Sequence, residues 1–479
     1  MEIIMAYQFK TEPLAHQREV LNKIWNKDHY ILAHDVGTGK TKIICDLIKF
    51  NNEWFKNITV SQNHDEYKIL IVCPASVMYN WQIELEKHAG IGNMAEVIYG
   101  TAGKRKKLIN SKMISIINYD GLGTVKDEIL KTNYDMVIFD ELHLLKSPKS
   151  IRSKLCQQIA ANSKKRFGLT GTMILNNMMD VFAQFLAIDL GETFGTNFFE
   201  FRARFFEDKN RFWAGKSNYF PKWEPKKSAE SAIREMIFKI TDRRLKSDCL
   251  DLPDVIVENR YCELSAEQHK RYEDIRKELI TIFEQGGVSV AKTALTRDLR
   301  LNQVTSGHLT MDSGEIYQFE DNSKMKLLGD LLTSELEGKK IIIWAVFRAD
   351  IAEIQKVCYA LQLKQVTVFG DTPNDERQIL IDQFQNDPET RIFIGNPASA
   401  GTGITLTASD VAVFYSYNYN LGNYLQAMGR NHRKGSEIHD KITYLHLIAK
   451  GTVDEAIVAG LERKEDLADR VLNHIRGAA

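Results

Sequence analysis

Residues 30–48, YILAHDVGTGKTKIICDLI, decide how the rest of the chain is read. The apolar run Tyr30 to Ala33 breaks at Gly37-Thr38-Gly39-Lys40-Thr41, and Ile43, Ile44, Leu47 and Ile48 then recur at helical spacing. Strand, glycine turn and helix, in that order, form the setting in which Gly-Lys-Thr reads as a phosphate-binding loop. Gly37, Thr38 and Gly39 would curl backbone N–H groups around a polyphosphate, and the helix start adds partial positive charge. Lys40 would hold the outer phosphates and the Thr41 hydroxyl would ligate Mg²⁺. The strict pattern asks for one more glycine where this chain carries His34 or Asp35. The competing reading is a plain surface turn, and the strand before and helix after it favour a nucleotide.

Working outward, Gln17 precedes the loop by a helix and a turn; its amide can pair with N6 and N7 of adenine, which makes it a candidate base reader. Residues 68–74, KILIVCP, form a buried strand ended by proline, and Ser76 is placed as N-cap of the helix that follows. Further strands are expected near Ala95–Ile98 and Ile114–Asn118, with the cationic run Lys104-Arg105-Lys106-Lys107 between them. That run is either a solvated face or a phosphate contact. Met136–Phe139 is a strand with Asp140-Glu141-Leu142-His143 at its carboxyl end, where open α/β sheets bind ligands. Asp140 can share the Mg²⁺ with Thr41, and Glu141 can polarise a water for in-line attack. Strands alternating with helices up to about residue 190 predict a doubly wound, mainly parallel sheet.

These residues resemble the superfamily 2 helicase core of the Swi/Snf-type ATPase group. AHDVGTGKT resembles motif I, IVCPASVMYNW motif Ia, DELH motif II and LTGT motif III, with Pro74, Asn80 and Trp81 the most diagnostic. His143–Ser147, Asn176-Asn177, Phe185-Leu186 and Phe194-Gly195 follow the same pattern. Val36, Thr38, Leu142 and Met173 depart from the group's usual residues. Arg243-Arg244-Leu245-Lys246 and Leu252-Pro253 resemble the exit from the first lobe. In the second half, Gly401–Leu406 resembles motif V and Tyr424–Arg433 motif VI, with Gly429 where the group commonly has Asp. The spacing of Gln426, Arg430 and Arg433 predicts one face of a helix, two guanidiniums that could complete an ATP site from a partner lobe.

The resemblance implies two tandem RecA-like α/β lobes with ATP between them and a nucleic-acid track across both. Lobe 1 is expected over 1–240, a helical connector over 241–322 and lobe 2 over 323–479. Lys40, Asp140, Glu141, Gln426, Arg430 and Arg433 are the expected catalytic set, and Gly401 joins the nucleotide contacts. Phosphate contacts are expected at Ser76, Asn80, Gly100, Thr101, Lys146, Gly370 and Thr372. The implied activity is ATP-driven translocation on duplex or branched DNA, as in small phage or bacterial translocases acting in branch migration, annealing or fork reversal. A strand-separating DNA or RNA helicase and an ATP-gated clamp are the alternatives.

Residues 205–228 lie where that pattern gives least guidance. Five aromatics, Trp213 and Trp223 among them, sit amid five cations with only Glu224 to oppose them over 211–227. Two readings compete: an insertion that stacks on unpaired bases at a junction, and a scaffold whose aromatics pack on the lobe.

Composition narrows the partners. The 479 residues are 44% hydrophobic and 26% charged, with 63 Lys+Arg against 63 Asp+Glu, so any nucleic acid is held by local basic stripes and not by net charge. Six scattered cysteines without Cys-x-x-Cys spacing read as reduced thiols, with neither disulfides nor zinc. The N-terminal stretch is not signal-like and no apolar run reaches spanning length, so the expectation is a cytoplasmic monomer, in a bacterium or phage-infected host, that makes no membrane contact.

Overall fold

The computed structural model describes residues 7–59, 67–174, 177–213, 219, 221–284, 290–311, 313–370, 372–398 and 404–473. It divides into two compact units, Met1–Leu250 with Lys464–Ala479, and Asp251–Arg463.

The first unit is built on β1 (His29–His34), β2 (Ile69–Cys73), β3 (Ala95–Val97), β4 (Ile114–Asn118), β5 (Tyr134–Asp140) and β6 (Ser163–Thr170). A ribbon of β7 (Phe206–Asp208) and β8 (Trp223–Pro225) follows, then β9 (Thr241–Arg244). Seven of these strands pair in parallel in the order β3-β4-β2-β5-β6-β1-β9. Period-two alternation along each strand feeds two cores. Ile31, Ala33, Leu70, Val72, Val137 and Phe139 pack on one face with Phe182 and Phe185. Tyr30, Leu32, Ile69, Ile71, Met136 and Ile138 pack on the other against Ile43, Ile44, Leu47 and Ile48 of the helix Lys40–Thr59. The apolar face inferred for that helix is therefore the one it buries.

The second unit opens with β10 (Asp254–Cys262), two helices, Ala266–Glu284 and Val290–Ser306, and an antiparallel hairpin of β11 (His308–Thr310) and β12 (Ile316–Gln318). Then come β13 (Ile341–Trp344), β14 (Gln365–Val368), β15 (Ile392–Gly395), β16 (Val411–Phe414) and β17 (Lys441–Ala449), ordered β10-β17-β16-β13-β15-β14 and all parallel. Ile341, Ile343, Ile392, Ile394, Val411, Val413, Leu445 and Leu447 form its core on one face. Fold class thus follows the expectation: two parallel-sheet α/β lobes.

The segment 241–322 is not a separate helical connector. Its first strand, β9, completes the first sheet beside β1, and β10 completes the second beside β17. β10 is extended because its run, DVIVENRYC, alternates and is rich in β-branched and aromatic residues, whereas β9, TDRR, has no such pattern of its own and is extended by pairing with β1.

Candidate active site

β1, β6 and β5 lie side by side, so the loops leaving their carboxyl ends share one rim of the first sheet. The phosphate loop, Thr170–Thr172 and Asp140-Glu141 are those loops. Gly37 and Gly39 sit at φ +95° and +85°, backbone that side chains other than glycine rarely adopt. Gly39 is doubly constrained, since a Cβ there would lie 2.2 Å from Gln17 Nε2.

Gln17 is buried, and both ends of its amide engage the chain itself. Nε2 donates to Thr38 O at 3.1 Å and Oε1 accepts from Leu14 N at 2.9 Å. His16 Nε2 lies 2.9 Å from the same Thr38 carbonyl. The structure therefore sets Gln17 against the loop, a brace for the backbone of Thr38, with one amide hydrogen and one oxygen lone pair beyond these two bonds.

Lys40 folds back over the loop, donating to His34 O at 2.7 Å and Asp35 O at 3.1 Å. Burial lowers its pKa, opposed by the carboxylates of Glu141, Asp140 and Asp35. Asp35 is gripped by Arg243 at 2.7 Å and accepts from Lys246 N at 3.0 Å, and Arg243 also donates to Ala33 O at 2.9 Å. Beneath the loop, buried Asp242 lies within 3.0 Å of His34 Nε2 and Lys23 Nζ and 2.9 Å from Arg244 Nε. Against burial, hydrogen bonds from His34 and Lys23 and the Lys23 charge hold Asp242 well below the usual carboxylate range, while burial pushes His34 down to about 4. The Arg-Arg pair, carried in sequence only as a family marker, is thus the outer wall of the phosphate loop.

Asp140 is pushed up to about 6, first by burial and then by the adjoining Glu141 carboxylate. Its Oδ2 accepts from the Trp81 indole Nε1 and its Oδ1 from Glu141 N, each at 2.9 Å. Glu141 takes a left-handed φ of +51° and places Oε2 3.2 Å from His143 Nδ1, which in turn lies 3.3 Å from Thr170 Oγ1. The acidic pair is therefore tied to the Thr170 loop on one side and to Trp81 on the other. Two carboxylates beside a threonine hydroxyl are hard oxygen donors suited to Mg²⁺. Among the described residues no cluster of three His, Cys, Asp or Glu could hold a metal.

In the second unit the helix Leu421–Met428 ends before the two arginines, with Gly429 as its C-cap. Gln426, Arg430 and Arg433 do not share a helix face: Gly429 stops the helix and the chain turns. Both guanidiniums still converge on one carbonyl, Arg430 at 3.2 Å and Arg433 at 3.0 Å from Ile404 O, while Arg430 also donates to Gln426 O at 2.8 Å. Arg430 and Gln426 are buried and Arg433 is partly exposed. Gly401 lies outside the described residues, as does Asn176.

The expected nucleic-acid residues fall into several places. A 3-10 turn, Ala75–Val77, precedes the helix Met78–Glu84, whose N-cap is Val77; Ser76 is therefore inside that turn and is not the cap. Asn80 lies on the helix, half-buried. Gly100, at φ +93°, accepts from Arg105 Nε at 2.9 Å, and Thr101 caps the helix Ala102–Leu108. Beside them Lys104 Nζ stands 3.7 Å above the Tyr99 ring, whose centroid is 5.9 Å from that of Tyr79, an exposed aromatic and basic patch. Lys146 caps the turn Leu142–Leu145 just after the acidic pair. Gly370 is exposed in a turn closed by Thr372, whose Oγ1 accepts from Phe369 N at 3.1 Å. Trp223 is half-buried on β8 with the Arg202 guanidinium 4.1 Å above its ring, whereas Phe212 is 98% exposed. The Trp213 side chain lies outside what is described.

A model of the SNF2-related domain matches residues 16–309, and one of the helicase conserved C-terminal domain matches residues 323–435. The chain is 26% identical over 445 residues to a SWI/SNF-related matrix-associated actin-dependent regulator of chromatin subfamily A-like protein 1 homolog of Caenorhabditis elegans, covering 92% of this chain and 59% of that protein. It is 26% identical to the DNA annealing helicase and endonuclease ZRANB3 of Bos taurus, over 92% of this chain and 39% of that protein. It is equally identical to the TATA-binding protein-associated factor BTAF1 of Arabidopsis thaliana, over 93% and 24% respectively. The chain thus spans less than two thirds of each of these relatives. Among solved structures, the Sulfolobus solfataricus SWI2/SNF2 ATPase core in complex with dsDNA is 23% identical with a TM-score of 0.44, covering 97% of this chain and 94% of that one.

Proposed function

The chain belongs to the SNF2-related domain family of helicase-like ATPases, and from that premise we propose that it is a DNA-dependent ATPase that moves along or remodels duplex or branched DNA. The observation that carries this is the shared rim of β1, β6 and β5, where Lys40 faces Asp140 and Glu141 and the acidic pair is tied to Thr170.

In this reading the phosphate loop receives the nucleotide's phosphates. Lys40 leaves the carbonyls of His34 and Asp35 to meet them, which restores a charge partner to a buried ammonium. Thr41 and Asp140 would hold Mg²⁺, which would supply charge neutralisation for the phosphates. Glu141, held at its left-handed turn and against His143, orients the attacking water and accepts its proton. Arg433 and Arg430, converging on Ile404 O in the second unit, are guanidiniums of the kind that stabilise charge on a transferring phosphoryl group. Loss of that group alters the grip on the strand, and repeated turnover becomes stepping. The exposed Tyr79, Tyr99 and Lys104 patch, with Asn80 and Thr101, contacts the nucleic-acid backbone without reading sequence. The bovine relative is a DNA annealing helicase by name, which favours strand annealing or branch remodelling as the output.

Phosphate release from ATP, measured side by side with duplex, single-stranded, four-way-junction DNA and RNA, tests this. Stimulation of at least tenfold by duplex or junction DNA is expected. Turnover indifferent to all four, or driven by RNA alone, would remove the reading.

A further inference from the structure

We infer that the short helix Met78–Glu84 couples nucleic-acid contact to the metal-binding carboxylate, with Trp81 as the positioning residue. This rests on the ATPase reading above. Neighbouring residues of this helix face opposite clients. Tyr79 is 37% exposed and meets Tyr99, itself 41% exposed and covered by Lys104. Exposed aromatics flanked by a cation suit a nucleic-acid strand, through stacking and phosphate attraction. Two residues on, Trp81 is 1% exposed and aims its indole N–H at Asp140 Oδ2.

The carboxylate therefore has two donors of different origin. Oδ1 is held by the backbone N–H of the next residue, and cannot move independently of β5. Oδ2 is held by a side chain of a separate helix. Trp81 also packs in the same core as Met78 and Leu85, so its ring moves with the helix and not on its own. A hydrogen bond at 2.9 Å has little room: a shift of about 0.5 Å brings it to the limit at which N–H···O contacts weaken. Metal and catalytic groups need placement within about 0.5 Å of productive geometry. A strand seated on Tyr79 and Tyr99 would thus set the orientation of Asp140 through one rigid seven-residue element. By linkage, a ligand at either face alters affinity at the other.

Trp81→Phe keeps the buried ring and deletes the donor. ADP affinity is measured by calorimetry in EDTA, in Mg²⁺, and in Mg²⁺ with saturating duplex DNA; DNA affinity is measured without nucleotide. The variant is expected to match the parent for ADP in EDTA and for DNA alone. Its Mg²⁺-dependent gain in ADP affinity falls by about tenfold, the scale for removing a partner that orients a metal ligand. The change in MgADP affinity on adding duplex falls below twofold. A variant that keeps both the Mg²⁺ gain and the DNA-dependent change overturns the inference. Should the variant unfold, the parent labelled with 5-fluorotryptophan decides. The Trp81 ¹⁹F resonance must shift on adding duplex DNA alone, and a resonance that stays in place overturns the coupling. A parent that binds no ADP under any condition removes the ATPase reading itself, which is a separate failure.

Discussion

Gln17→Ala deletes two hydrogen bonds, the buried Nε2 donation to Thr38 O at 3.1 Å and the partly buried acceptance from Leu14 N at 2.9 Å. A hydrogen bond of this kind contributes about 0.5–1.5 kcal/mol net. Thr38 O keeps His16 Nε2 at 2.9 Å, so no buried carbonyl is stranded, and the Leu14 amide at a helix start can turn to water. The expected cost is therefore about 1–2 kcal/mol of loop order, a five- to thirtyfold loss in affinity for whatever the loop binds. Because the damage is to the loop, ADP, GDP and inorganic pyrophosphate should weaken by the same factor in calorimetric titrations. Gly39→Ala sharpens the test. In the parent it meets both a left-handed φ and Gln17 Nε2 at 2.2 Å; in the Gln17→Ala background only the backbone strain of about 1–2 kcal/mol remains. The two substitutions should consequently be less than additive. If Gln17→Ala weakens ADP while leaving pyrophosphate untouched, the side chain reads the base and the bracing argument fails.

Glu141→Gln should bind MgATP normally and lose at least about a hundredfold in turnover, the usual scale for a positioned base, as read by phosphate release. Arg433→Ala should lower kcat by about a thousandfold with DNA affinity unchanged in the absence of nucleotide. Arg430→Ala should also lower the melting temperature, because that buried guanidinium supports the carbonyls of Gln426 and Ile404. Burial drives His446 down to about 4, well below an unfolded histidine at about 6.5. Between those values the unfolded chain takes up a proton that the folded unit refuses. Stability of the second unit should fall on acidification by up to about 1.4 kcal/mol per pH unit, and His446→Phe should flatten that slope. Trp344 is the one tryptophan between residues 251 and 463, so its fluorotryptophan resonance in urea titrations reports this unit alone.

The parts of this fold that a linear reading reaches are those encoded over a few neighbouring residues. Apolar runs such as ILIVC and IIIW are strands because every residue in them is buried on one face or the other. Gly37 and Gly39 announce their turn because few other residues tolerate it, and the acidic pair appears at a strand end as sheet chemistry requires. What the sequence hid is whatever depends on two distant segments meeting. Nothing near residue 17 says that its amide will meet Thr38, and nothing in Arg243 says that it will clamp Asp35 across some two hundred residues. Trp81 was visible as a family signature, yet its donation to Asp140 needs the sheet order to be known. The helix through Arg430 and Arg433 failed for a local reason: periodicity continued through Gly429, but a glycine there is also a stop.

The pairing of β10 with β17 has a consequence for how the protein is made. β10 is complete at Cys262, but the strand it pairs with begins at Lys441, roughly 180 residues later. At about 5–20 residues per second, synthesis leaves that strand waiting for some 10–35 seconds before its hydrogen-bonding partner exists. It would wait with Val255, Val257 and Tyr261 along one face, a tempting template for other extended chains. Asp254, Glu258 and Arg260 are spaced along the same strand, and Pro253 stands just ahead of it. Charges and a proline at such places discourage edge-to-edge pairing. Because β10 is also the outer strand of the finished sheet, these residues guard the same edge in the nascent and in the folded chain, and replacing them with apolar residues should show as poor yield and as aggregation.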